Sequence, residues 1–378
     1  MKYIERAISD RFLKCLIPNK VLVLLGPRRV GKTSLLKHLA TTINEPILQL
    51  NGEDIATVEV LKQRTVENYK RLLGNYSFLI IDEAQKIPNI ALILKLIVDE
   101  IDGIKIIVTG SSMFDLTNQL GEPLTGRKIT FQIYPLAQME YQKEEHLVQT
   151  KSNLEERLIY GSYPELQQYS SNEEKTTYLR ELVSSYLLKD ILEYDGIRSS
   201  GKLIDLLRLI AFQIGKEVSF DELSKQLGIS RNTVERYLDL LSKVFVVYKL
   251  QGFSRNLRKE VTKSSKWYFF DNGIRNALIA NFNSINLRND VGELWENYLL
   301  SERIKYQQYN GMVVNNYFWR TYQQQEIDWV EEREGALFAY ELKWKSEKKV
   351  KIPSAWRDAY SDSKFEVMTS EKYLDWIC

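Results

Sequence analysis

The stretch Gly26-Pro27-Arg28-Arg29-Val30-Gly31-Lys32-Thr33 constrains this chain more than any other. It follows the apolar run Val21-Leu22-Val23-Leu24-Leu25 and leads into Ser34-Leu35-Leu36-Lys37-His38-Leu39. A leucine and valine run, a loop with a glycine at each end and a helical pattern read as strand, loop and helix. The spelling GxxxxGK[ST] in that context is a phosphate-binding P-loop. Successive backbone N–H groups of such a loop face one concavity, and the following helix adds its positive end. Gly26, Pro27, Arg28, Arg29, Val30, Gly31, Lys32, Thr33 and Ser34 are therefore the expected ATP-binding segment. Lys32 is expected on the β- and γ-phosphates, and the Thr33 hydroxyl on Mg²⁺.

The pattern after the loop supports an α/β fold. Pro46 to Leu50 reads as a short strand, followed by a polar helix reaching about Leu73. Phe78-Leu79-Ile80-Ile81 is a buried strand ending in Asp82-Glu83, the Walker B pattern. Asp82 is expected in the Mg²⁺ shell, with Glu83 polarising the attacking water. Asn89 to Ile101 is helical, and Lys105 to Val108 is a further strand ending in Thr109-Gly110-Ser111-Ser112. Ser111 or Thr109 is the candidate for sensing the γ-phosphate. Alternating strands and helices imply a parallel sheet with its ligand at the carboxyl ends of the strands.

Composition bounds the rest. A chain of 378 residues exceeds one ordinary core. Its 44% apolar and 27% charged residues belong to a globular protein, and a net charge of +2 leaves nucleic-acid contacts to local patches. Cys15 and Cys378 cannot make a disulfide framework, which fits the cytoplasm. With only His38 and His146 available, any metal is expected on carboxylates. No run approaches the roughly eighteen apolar residues of a membrane span, so no membrane partner is expected.

Several of these segments together resemble the prokaryotic AAA-type ATPases that carry a C-terminal nuclease-like domain. They are the P-loop, Ile80-Ile81-Asp82-Glu83-Ala84-Gln85, Thr109-Gly110-Ser111-Ser112, Leu124-Thr125-Gly126-Arg127, Tyr134-Pro135-Leu136 and Gly161-Ser162-Tyr163-Pro164. The resemblance implies an AAA-like core in which Arg127 is a candidate arginine finger, acting on its own nucleotide or on that of a neighbouring copy. It implies a lid proline at Pro164.

The later segments divide the chain into an ATPase core over 1–135, a helical lid over 136–210, a winged helix over 211–284 and a C-terminal domain over 285–378. In the third, Phe220, Leu223 and Leu227 form one stripe, Gly228 ends that helix and Ser230 caps the next. This is a helix-turn-helix whose second helix offers Arg231, Asn232 and Arg236 at its start. Val244 to Gln251 and Trp267 to Phe270 read as wing strands. The basic hairpin between them, Arg255, Arg258, Lys259, Lys263 and Lys266, suits a phosphate backbone. Such a module either contacts DNA or packs against protein, and both partners stay open, as does a homo-oligomer.

From about residue 285 the order reads αβββαβ: a helix from Val291, strands over 312–320, 325–332 and 336–343, a helix over 355–361 and a strand over 364–368. Period-two alternation puts Glu326 and Asp328 on one face of the second strand, and Glu341 and Lys343 on one face of the third. Paired, they bring two carboxylates and a lysine together, a set suited to a Mg²⁺ nuclease. Asp328-x₁₂-Glu341-x-Lys343, with Glu296 on the preceding helix, resembles the PD-(D/E)xK nuclease superfamily. That resemblance implies a restriction-endonuclease-like fold, Asp328 and Glu341 as metal ligands, and Lys343 and Glu296 as catalytic groups. Gln325-Glu326-Ile327 stands where that family often has a proline before the aspartate. Lys345, Lys348, Lys349 and Lys351 follow the motif as candidate backbone contacts, or as an ordinary solubilising run. The alternative is a nucleotide-dependent switch that binds DNA or protein through an inactive fold of this kind.

Overall fold

The structure is a computed structural model, and it describes residues 3–111, 124–187, 200–255, 265–345 and 350–378. The chain divides into two compact units. One is Met1–Tyr134 with Lys243–Phe245; the other is Pro135–Ser242 with Val246–Cys378.

The first unit is built on strands β1 (Lys20–Leu25), β2 (Ile47–Asn51), β3 (Phe78–Asp82), β4 (Lys105–Gly110) and β5 (Lys128–Gln132). They pair in parallel in the order β2-β3-β4-β1-β5. Val21 to Leu25, Phe78 to Ile81 and Ile106 to Val108 are all buried. A parallel strand covered on both faces requires such an unbroken apolar run. The helices Lys32–Thr42 and Ile90–Glu100 follow β1 and β3.

One expectation is corrected in detail. The polar helix before Leu73 is two helices, Ile55–Lys62 and Val66–Leu73. Thr65 breaks the run, because its side chain accepts a hydrogen bond from Asn68 N (3.2 Å) and starts a new helix.

The second unit holds helices, a helix-turn-helix and one mixed sheet. In the helix-turn-helix, Phe220–Leu227 ends at Gly228, whose φ of 63° and ψ of 38° are left-handed, a common place for glycine. Ser230 Oγ then accepts from Thr233 N (3.1 Å) and caps Arg231–Lys243. Leu223, Leu227, Val234, Leu238 and Leu241 are buried, while Arg231, Asn232 and Arg236 are exposed.

The sheet has six strands, in the order β11-β10-β9-β8-β6-β7. Here β6 is Val247–Gly252, β7 Ser265–Phe269, β8 Asn315–Arg320, β9 Glu326–Arg333, β10 Ala336–Leu342 and β11 Lys364–Met368. The order αβββαβ is present, with helices Val291–Tyr309 and Ser354–Ala359. The expected boundary at 284/285 does not separate these strands. The hairpin β6–β7 joins β8 in parallel, through Gln251↔Tyr317 and Gly252↔Phe318. An exposed strand edge leaves N–H and C=O groups unpaired, and here two such edges satisfy each other.

The outer edge of β7 is closed by other means. Asn297, from the long helix, accepts from Phe269 N (2.7 Å) and donates to Phe269 O (3.0 Å). Its side-chain amide thus stands in for a neighbouring strand. Asn272 and Asn276 act similarly on the helix Leu154–Tyr160, donating to the Leu158 (3.1 Å) and Ile159 (2.7 Å) carbonyls. Those are end-of-helix carbonyls that have no intrahelical donor. The approach is close enough that a Cβ on Gly273 would lie 2.0 Å from Tyr160 O, so only glycine fits.

Candidate functional site

In the first unit, parallel register gathers the chemistry at one edge. Asn51 pairs with Asp82 and Leu25 with Gly110, so the carboxyl ends of β2, β3, β4 and β1 lie side by side. The loop after β1 turns through Arg29 (φ 65°) and Gly31 (φ 92°), both left-handed. Gly26 is also required by space, since a Cβ there would meet Ile133 O at 2.2 Å. Val30 is a core residue by its side chain and an anchor by its backbone. Arg6, buried, donates to the carbonyls of Val30 (2.6 Å) and Tyr134 (2.6 Å), which ties the loop to the end of β5.

Lys32 is only 5% exposed, and its ammonium donates to Gly26 O (2.8 Å) and Pro27 O (3.1 Å). The Thr33 hydroxyl donates to Asp82 Oδ2 at 2.6 Å. Thr109 donates to the other Asp82 oxygen and accepts from Glu83 N (3.1 Å). Glu83 takes a left-handed φ of 50°, uncommon for a residue with a Cβ. Gln85 Nε2 donates to Glu83 Oε2 (2.6 Å) and to Ser111 Oγ (3.2 Å). Ser34 is exposed in the first turn of the helix.

Thr33, Asp82, Thr109, Glu83, Gln85 and Ser111 are thus one connected array, with Lys32 on the loop beside it. The Thr33 and Asp82 oxygens are hard donors side by side, a set that fits a Mg²⁺ ion carried by a nucleotide. Gln85 and Arg6 were missed by sequence reasoning. Gln85 closes the segment Ile80–Gln85 that carries the resemblance but was given no role there, and Arg6 gave no signal.

Arg127 is not part of this array, so its assignment to its own chain's nucleotide is corrected. Val21 pairs with Lys128, which puts Arg127 at the amino ends of the strands, away from the loop after Leu25. Its guanidinium is paired with Asp99 at 2.6 Å. A residue that precedes a parallel strand necessarily lies at the edge opposite the loops that follow such strands. Pro164 begins a short turn over Pro164–Gln168 in the second unit.

The second unit brings Asp328, Glu341 and Lys343 together. Lys343 Nζ lies 2.6 Å from Glu341 Oε1 and 3.9 Å from Asp328 Oδ2, which also accepts from Leu342 N at 2.8 Å. Glu296 accepts from Tyr268 OH (2.5 Å), and Gly215 lies against its carboxylate. Lys266 is the residue that sequence reasoning misplaced. It is 3% exposed rather than on a basic hairpin, pairs with Glu326, and sits 3.8 Å from Glu296 Oε1. Its alternation with Tyr268 on β7 was the available signal. Glu326 is half-buried and also faces Arg320 at 3.7 Å.

Arg258, Lys259, Lys263, Lys348 and Lys349 lie outside the described residues. Arg255 is paired with Glu332 at 3.0 Å, and Lys345 and Lys351 are exposed. Among the described residues no three acids are placed to hold a metal ion. Each carboxylate of the cluster already faces a cation of the chain. Asp328 and Glu341, the expected metal ligands, both face Lys343.

Burial raises the acids. Asp328 is pushed up by desolvation, and Glu341 by desolvation and then by Asp328. Desolvation pushes Glu296 up to about 7, against the pull of Lys266. A carboxylate raised in the folded state binds its proton more tightly there than in the unfolded chain. Between the ordinary value of 4.5 and about 7, stability is accordingly lost as pH rises. Glu296→Gln removes that slope. Its melting temperature relative to the parent chain is expected to climb across this window, as followed by circular dichroism. A constant difference would contradict the assignment.

Comparisons with known proteins follow these boundaries in part. Residues 18–142 match the family described as AAA domain. Residues 151–285 and 291–374 match two families described as domains of unknown function, DUF8612 and DUF4143. An uncharacterized protein of Mycobacterium tuberculosis is 26% identical over 344 residues, covering 90% of this chain and 74% of its own. One from Methanocaldococcus jannaschii is 26% identical over 364 residues, covering 90% and 78%. Among solved structures, the Thermotoga maritima RuvB Holliday junction branch migration motor aligns at 15% identity over 64% of this chain and 85% of its own, with a TM-score of 0.28. Candida albicans Pif1 helicase aligns at 15% over 48% of each, with a TM-score of 0.26. Among the described residues no helix is long and apolar enough to cross a membrane. Residues 18–142, which carry the P-loop and Asp82-Glu83, are thus similar to an AAA domain.

Proposed function

We propose that the chain binds and hydrolyses ATP in its first unit and acts at DNA through its second. The observation that carries the first half is the array at the sheet edge, above all the 2.6 Å bond between Thr33 and Asp82 beside Glu83. Lys32 leaves the Gly26 and Pro27 carbonyls for the β- and γ-phosphate oxygens, and the loop N–H groups donate to the remaining phosphate oxygens. Thr33 and Asp82 would hold Mg²⁺, which when bound would neutralise charge on the phosphates. Glu83 orients the attacking water and takes up its proton, while Ser111 and Gln85 set the position of that carboxylate. Arg127 is left to reach the nucleotide of a neighbouring copy, which makes a homo-oligomer part of the proposal. The test is ATP turnover by the purified chain with Mg²⁺. Glu83→Gln is expected to keep nucleotide binding and to lose about a hundredfold or more in turnover. Unchanged turnover would remove Glu83 from the reaction.

Support for DNA is the exposed set Arg231, Asn232 and Arg236 at the start of the second helix of the helix-turn-helix. Convergence of Asp328, Glu341 and Lys343 supports reading 285–378 as nuclease-like. The pairing of each acid with an internal cation favours the form that binds without cutting. Incubation with plasmid, linear and branched DNA, with Mg²⁺ and with or without ATP, separates the two. ATP-dependent binding without cleavage is expected. Cleavage abolished by Asp328→Ala would restore the nuclease.

A further inference from the structure

We propose that Lys266 is the resident cation of the C-terminal acid cluster, its ammonium standing between Glu296 and Glu326 in place of a divalent ion. The proposal rests on the nuclease-like reading of 285–378 and deepens it. A lysine this buried is stable only among acids, because removing an ammonium from water is expensive unless its partners are close. Lys266 has such partners in Glu326 and in Glu296, at 3.8 Å from the latter.

Its position is built into the sheet. Lys266 pairs with Leu250 along β6 and bridges to Glu217 on the other side. Its ammonium also lies 5.3 Å from the centre of the Phe318 ring, on β8 beyond β6. At 3% exposure, with Glu296, Glu326 and the Phe318 ring around it, the side chain is held within the cluster rather than in solvent. The remaining acids are engaged as well: Glu296 by Tyr268 (2.5 Å), Glu341 by Lys343 (2.6 Å) and Asp328 by Leu342 N (2.8 Å). A second cation entering here would stand against a fixed positive charge in a desolvated site, where like charges repel far more than in water.

The cluster is thus a self-neutralised set of acids and lysines that takes no divalent ion of its own. Mn²⁺ is a direct probe, read by electron paramagnetic resonance on the full chain carrying Asp82→Asn, which removes the nucleotide-side ligand. No nucleotide is added, so the result is independent of ATP hydrolysis. That chain is expected to bind Mn²⁺ only in the millimolar range. Adding Lys266→Met is expected to create a micromolar site and to make the melting temperature rise with Mn²⁺, both lost again on Asp328→Asn. Micromolar binding already present with Lys266 intact, and abolished by Asp328→Asn, would overturn the proposal while leaving the nuclease-like reading standing. This arm needs no change at Lys266, so it holds even if Lys266→Met fails to fold. A folded Lys266→Met chain that gains no Mn²⁺ site would overturn both.

Discussion

Lys32→Ala is expected to abolish ATP turnover, with a loss of about a hundredfold to a thousandfold in rate, as when a single fixed transition-state donor is removed. The side chain is buried at the first helical position and donates to the Gly26 and Pro27 carbonyls. Both are backbone oxygens of the loop it serves, so the ammonium is held beside the phosphate concavity before any phosphate arrives. Its loss removes the positive charge that meets developing charge on the γ-phosphoryl group, while the loop itself stays tied by Arg6. The melting temperature should therefore move little. Lys32→Arg is expected not to rescue, because a planar fork cannot take the place of a compact ammonium at one point. Turnover in a malachite-green assay, with nucleotide affinity measured separately, checks this. A chain that hydrolyses ATP normally without Lys32 would refute the P-loop assignment.

The first unit was largely legible because its signals are local. A run such as Val21 to Leu25 has one reading when followed by glycine, lysine and threonine in that spacing. The rule that parallel strands share a carboxyl edge then places Asp82, Glu83 and Ser111 beside the loop. The same rule sends Arg127 to the other edge, and it was overlooked for that residue. The second unit was legible in element order and less so in assembly. Nothing near Gln251 signals that β6 will pair with Tyr317 on β8, since either edge looks like a finished strand. Lys266 follows Lys263 in a polar stretch and reads as one more hairpin lysine. It becomes buried only because β7 is covered by Asn297 and Glu296, from a helix that starts at Val291. Convergence of Asp328 with Glu341 could be anticipated from alternation, whereas the countercharges Lys266 and Arg320 arrive from other strands.

Arg303 and Glu331 carry the largest expected effect on stability. Glu331 is fully buried and Arg303 nearly so. The guanidinium grips the carboxylate with two bonds, Nε to Oε1 at 2.6 Å and Nη2 to Oε2 at 2.9 Å. Burial pushes the Glu331 carboxyl up, but the hydrogen bonds and charge of Arg303 outweigh it and hold it below the ordinary range. This pair is therefore expected to be strongest above the ordinary glutamate value and to weaken on acidification through the depressed one. Glu331→Leu leaves the buried guanidinium with the Trp376 carbonyl as its backbone acceptor, and is expected to cost about 3–5 kcal/mol. Arg303→Met is expected to cost less, because Glu331 keeps Gln307 (2.9 Å), Arg333 (3.0 Å) and the Trp329 ring N–H (3.1 Å). Changing both together leaves no unpaired Arg303 guanidinium in the core, and only the partly exposed Arg333 loses its carboxylate, so the double variant should lose less than the sum of the two. Urea denaturation of the four chains closes the cycle. Simple additivity would mean that the two side chains act independently, which their bidentate geometry forbids.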